Sequence, residues 1–169
     1  MPAVFRSAVN WMALLGALCA AGCASHPPRQ VVISLDPSLR QAPGTFTVDV
    51  VAVNEADYAR FAGISVDDFW KPSDPLRSTF PRFEAALTRE NTSATLAATD
   101  PLWARWDAAG AKYLVAIALI PGLRGSGEGE KDPRRLILPL QRQRWNSLDP
   151  IQVVVSKAGL MTTTPPKPR

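Results

Sequence analysis

The side chains able to do covalent or metal chemistry are few, and they are placed badly for catalysis. The 169-residue chain has two cysteines, Cys19 and Cys23, and one histidine, His26, all near its start. A thiolate is a nucleophile and a metal ligand, and imidazole is the commonest general base near neutral pH. Everything after His26 lacks both. That stretch can therefore form no disulfide, no His/Cys metal centre and no His-based catalytic pair. Acid-base chemistry would fall to carboxylates such as Glu84, Glu90 or Asp107, which no spacing places together. Asp57, Asp67 and Asp68 suggest a calcium cluster, but each stands in the first turn of an expected helix, where the macrodipole favours an acid. Residues 122–133 are glycine-rich, yet they lack the Gly-Lys-Ser/Thr ending and following helix of a phosphate-cradling loop. They read as a hairpin loop. The expectation is a chain with no catalytic residue, no metal and no cofactor.

Cys23 stands apart because of what precedes it. Arg6 is followed by an uncharged, mostly apolar run from Ala8 to Leu18, and then by Ala20, Ala21 and Gly22. This is the layout of a secretory signal. The run is shorter than the roughly 20 residues needed to cross a bilayer as a helix. Small residues directly before a cysteine resemble the lipobox of bacterial lipoproteins, in which the thiol is alkylated by diacylglycerol before the signal is removed. That resemblance implies a signal peptide over residues 1–22, a lipid on Cys23, and a short tether through residue 30. The alternative is an ordinary signal cut after Ala24 or nearby. Two or more acyl chains anchor a protein stably where one does not. Ala24 follows the cysteine, where an Asp would mark inner-membrane retention, so the outer membrane is the expected destination.

Without residues 1–22 the chain has about 147 residues, enough for one core. Its 18 basic and 15 acidic side chains leave a charge of about +3, which does not suggest a nucleic-acid partner. Sixteen prolines point to short elements joined by many turns.

The elements follow from pattern. Residues 31–35 and 45–53 read as strands, the second with Phe46, Val48, Val50 and Ala52 on one buried face. Between them, Asp36, Pro37, Ser38, Leu39, Arg40, Gln41, Ala42, Pro43 and Gly44 read as an exposed loop. Asn54 and Ser65 are expected to cap two short helices, with Val53 and Tyr58, then Ile64 and Phe69, at staple positions. Residues 71–79 read as irregular, and residues 80–88 as a helical turn or covering segment. Residues 93–99 read as a strand. Asp100, Pro101 and Gly110 bracket a helix whose Trp103 and Trp106 are expected in the core. Residues 112–120, 134–140 and 151–157 read as strands, the first of them central. Arg142 and Arg144 would share one side of an extended segment, solvated or facing lipid headgroups or an acidic partner. Residues from about 161 to 169 are expected to form a disordered tail. Six or so mostly antiparallel strands over residues 31–160, with helical insertions, suggest a mainly β fold, a β-sandwich.

The order of these features resembles the TssJ family, the outer-membrane lipoproteins of bacterial type VI secretion systems. The resemblance runs from Cys23 to about Ser156. It rests on the cysteine, the Asp36-Pro37 step, the strand from Phe46 to Val53, the helical inserts around Tyr58 and Phe69, and the Ala111-Lys112-Tyr113 start of an apolar strand. It implies a transthyretin-like sandwich without catalysis. It also implies a subunit that tethers a secretion complex by binding the periplasmic domain of the inner-membrane protein TssM. In that family the loop between the first two strands makes the contact, which maps onto residues 36–44. A different function is an exported lipoprotein that holds a small ligand against Trp103, Trp106 or Trp145.

Overall fold

A computed structural model of the chain describes residues 30–125, 129–145 and 149–168. The expected signal over residues 1–22, with Cys19, and Cys23 and His26 lie outside these residues. Among the described residues, eight strands form two four-stranded sheets. The first has the order β4-β1-β7-β8, built from β1 (Val31–Leu35), β4 (Ser93–Leu96), β7 (Ile151–Ser156) and β8 (Gly159–Thr162). The second has the order β3-β2-β5-β6, from β2 (Phe46–Val53), β3 (Arg82–Leu87), β5 (Tyr113–Leu119) and β6 (Arg135–Pro139). All pairings are antiparallel except β1 with β7, in register from Val31 opposite Ile151 to Leu35 opposite Val155.

Alternation builds the core. Val31, Ile33 and Leu35 point inward with Ile151, Val153 and Val155, against Phe46, Val48, Val50 and Ala52 of the facing sheet. A second core lies on the other side of β2 and β5. There Val51, Val53, Val115 and Ile117 meet Phe61, Val66, Phe69 and Leu76 of the helical insert. Both faces of β2 are therefore buried, not one as the alternation of Thr47 and Asp49 suggests. The near-continuous apolar run of β5 is explained by the same two-sided burial.

The insert comprises α1 (Glu55–Gly63), α2 (Val66–Phe69) and α3 (Pro75–Thr79). Asn54 caps α1 by accepting a hydrogen bond from the backbone N–H of Asp57 at 3.0 Å. Ser65 precedes α2 without a side-chain bond. Residues 71–79 are not irregular throughout, because Asp74 caps α3 through the N–H of Arg77 at 2.8 Å, with Pro75 at the first helical position. Residues 80–88 are not helical. Ala85 and Leu87 of β3 alternate inward, which gives β2 its second partner.

The helix α4 (Pro101–Ala108) follows β4 as expected, capped by Asp100 through the N–H of Leu102 at 2.8 Å. Arg142–Arg144 form a 3-10 turn, not an extended segment. The sheet also continues past residue 160, since Leu160, Met161 and Thr162 pair with β7. The following residues are tied as well: the N–H of Gln152 donates to Oγ1 of Thr164 at 2.9 Å, and that of Lys167 to the carbonyl of Arg144 at 2.6 Å.

Candidate partner-binding loop

The chain enters β1 at one end of the sandwich and leaves it at the other, where residues 36–44 cross to β2. This crossing is folded. The N–H of Asp36 donates to the carbonyl of Val155 at 2.9 Å, and the Asp36 side chain accepts from the N–H of Ser38 at 2.9 Å. Hydrogen bonding by the Ser38 side chain and then by its backbone N–H, helped by the charges of Arg40 and Lys157, holds the carboxyl below its usual range. Pro37–Leu39 then form one 3-10 turn, closed by Leu39 N–H to the carbonyl of Asp36 at 2.9 Å.

Leu39 is 5% exposed and belongs to the main core, with Ala42 packed against that core. The loop is therefore not exposed throughout, because the Leu39 side chain is almost wholly buried. Pro37, Ser38, Arg40, Gln41, Pro43 and Gly44 face solvent. Gly44 adopts φ +98°, which an L side chain rarely does, and lies against Pro121 of the connection after β5. Beside the loop is an open pocket of about 240 Å³ lined by Leu39, Ile120, Pro121, Gly122, Leu123 and Lys157. Its walls are mostly apolar and its single charged side chain is that of Lys157. Such a surface suits an apolar side chain near a carboxylate. It holds no nucleophile or acid-base pair.

The other candidate residues are dispersed. Glu84, on β3, meets Arg77 at 3.3 Å, Glu90 accepts from Thr88 Oγ1 at 3.2 Å, and Asp107 lies on α4. Each member of the imagined calcium cluster has its own cation: Asp57 has Arg60, Asp67 has Arg134 and Asp68 has Lys71. Among the described residues, no group of three or more His, Cys, Asp or Glu side chains is placed to hold a metal. Residues 126–128 of the glycine-rich loop lie outside the described residues. Gly129–Lys131 form a 3-10 turn ahead of Asp132, which binds Arg134 at 2.8 Å.

The tryptophans do not present a ligand-binding face. Trp103, Trp106 and Trp145 are buried in the main core, and their indole N–H groups donate to the carbonyls of Ala97, Pro81 and Pro139 at 2.9–3.0 Å. Trp103 and Trp106 pack edge to face at 5.2 Å. They seal the core, and the ligand-holding alternative loses the residues it depended on.

Sequence reasoning missed the charged groups that lock the insert. Asp49, buried in β2, meets Arg77 Nε at 2.8 Å and Arg82 Nε at 3.1 Å. The signal was present, since Asp49 interrupts an otherwise apolar run. Arg135 is buried and donates to the carbonyls of Ala62, Ile64 and Gly129, joining β6 to the end of α1.

No family model and no curated protein matches the sequence. Solved structures do match in fold. A chain in the structure of the type VI secretion protein TssM C-terminal domain (869–1107) from EAEC superposes with TM-score 0.56 and 15% identity, covering 79% of this chain and 98% of that one. Lip from Serratia marcescens, a membrane-bound component of the type VI secretion system, gives TM-score 0.50 and 17% identity over 80% of this chain and 95% of its own. A chain of a type VI membrane complex gives TM-score 0.50 and 16% identity, with coverages of 79% and 95%. At such identities the likeness is one of fold, and the protein has the β-sandwich fold of these type VI secretion components.

Proposed function

We propose that the chain is a TssJ-type lipoprotein of a type VI secretion membrane complex, acylated on Cys23 and facing the periplasm from the outer membrane. It performs no catalysis. Its acyl chains supply membrane affinity, the sandwich supplies a rigid platform, and residues 36–44 hold the periplasmic domain of a TssM-type partner. The fold likeness to type VI secretion components supports the class of function. The observation that carries the site is Leu39, which pins the middle of the loop into the core while Arg40, Gln41 and Pro43 stay exposed. A pinned loop loses little conformational entropy on binding, which favours a specific contact.

The test keeps Leu39. Arg40→Glu, Gln41→Ser and Pro43→Ser are introduced together, and capture of a purified TssM-type periplasmic domain is measured. Loss of capture with unchanged thermal unfolding supports the loop assignment, and unchanged capture overturns it. Labelled fatty acid should enter the wild-type chain and not Cys23→Ser.

A further inference from the structure

The end of the sandwich opposite the loop carries several cations that have no ion pair among the described residues. The chain enters the described structure here, with the carbonyl of Gln30 accepting from the N–H of Ile151 at 2.9 Å. Beside that entry the tail folds back. Thr164 Oγ1 accepts from Gln152 N–H, the N–H of Lys167 donates to the Arg144 carbonyl, and Arg144 Nε donates to the Lys167 carbonyl at 2.9 Å. Lys112 joins them, because its carbonyl accepts from the N–H of Leu140, two residues before the Arg142–Arg144 turn.

Lys112, Arg142 and Lys167 are exposed and Arg144 is half-buried. None of the four belongs to an ion pair among the described residues. The carboxylates at this end are mostly engaged or on other elements: Asp100 caps α4, Asp107 lies on α4, and Glu55 accepts from the Tyr113 hydroxyl. Asp149, two residues before β7, already has a partner.

We infer that Lys112, Arg142, Arg144 and Lys167 form a docking face for anionic phospholipid headgroups, which stands the domain on the membrane with residues 36–44 directed away from it. The inference rests on the proposed acylation of Cys23. Two observations favour lipid as the occupant. Only residues 24–29 separate that cysteine from Gln30, so the chain can hold this face no further than about 25 Å from the acylated residue. The face is also cationic where a bacterial membrane surface is anionic, and each basic residue brought to such a surface strengthens binding by about fivefold.

The test uses the acylated protein in vesicles of phosphatidylcholine alone or with phosphatidylglycerol. A membrane-impermeant amine reagent reports exposure of Lys112 and Lys167, with Lys157 at the loop end as internal control. Labelling of Lys112 and Lys167 is expected to fall about fivefold on anionic vesicles, with Lys157 unchanged, and to recover in high salt or in the Arg142→Gln/Arg144→Gln variant. Equal labelling on both vesicles overturns the inference. So does a double variant that keeps its protection yet loses capture of the TssM-type domain, which would assign the face to a protein. Flotation of Cys23→Ser separates the two readings: vesicle attachment without Cys23 removes the acyl anchor, while the labelling contrast still reports on the cationic face.

Discussion

Arg77, on the short helix α3, places its Nε 2.8 Å from a carboxylate oxygen of Asp49, whose side chain is fully buried in β2. Arg82 approaches the same oxygen from the adjacent strand at 3.1 Å, and Arg77 also stacks over Trp70 at 4.6 Å. The insert is thereby fastened to the sheet at a point where apolar packing is interrupted. Removing one partner of a buried pair leaves an uncompensated charge, a larger cost than the pair's net contribution. Arg77→Ala is expected to destabilise the fold by about 3 kcal/mol in urea unfolding, and Asp49→Asn by less.

The two buried carboxylates should respond to pH with opposite sign. Burial raises the Asp49 carboxyl more than Arg77 and Arg82 lower it, so its folded value lies above 3.8. Its contribution is full below that value and is lost as pH rises through the raised one. Burial also pushes Asp132 up, but the hydrogen bonds and charge of Arg134 outweigh this and hold it below 3.8. Its contribution is present above 3.8 and is lost as pH falls through the lowered value. Asp132→Asn should therefore flatten the acid limb of the stability profile, and Asp49→Asn the opposite slope just above 3.8. Denaturant midpoints against pH would show both.

Within the loop, neighbouring residues should separate stability from binding. Leu39→Ala removes a core side chain and is expected to cost about 3 kcal/mol. Arg40→Ala, at an exposed position, should change stability by no more than about 0.5 kcal/mol while weakening capture of the TssM-type domain. Thermal unfolding and pull-down on the same two variants check this.

Trp106 is 2% exposed and touches Trp103 edge to face. Trp106→Ala should cost about 4 kcal/mol by opening a cavity at the base of the sandwich. Partner capture by the remaining folded fraction should be unchanged, because the Trp106 side chain is buried in the core.

Gly159 begins β8 at φ +123°, and a Cβ there would overlap the carbonyl of Pro133, which accepts from the N–H of Leu160 at 2.7 Å. Gly159→Ala is expected to destabilise by about 3 kcal/mol, through backbone strain and the forced separation of β8 from the start of β6. Faster amide exchange in residues 159–162 would locate the effect.

Local signals were enough for much of this protein. Alternation and turn residues bounded β1, β2, β5, β6 and β7 closely, and Asn54, Asp100 and Pro101 announced α1 and α4, because caps and period-two patterns act over a few residues. The sandwich, the core role of the tryptophans and the position of the loop followed from them. Tertiary structure alone decided the rest. Residues 80–88 show no clear period, and become β3 because the open edge of β2 accepts them. Met161 and Thr162 belong to a strand because β7 offers them a partner. Leu39 looked exposed between turn residues until the core claimed it. The cationic face, too, exists only because the fold brings Lys112, Arg142, Arg144 and Lys167 together across 55 residues of sequence, beside the point where the chain enters the sandwich.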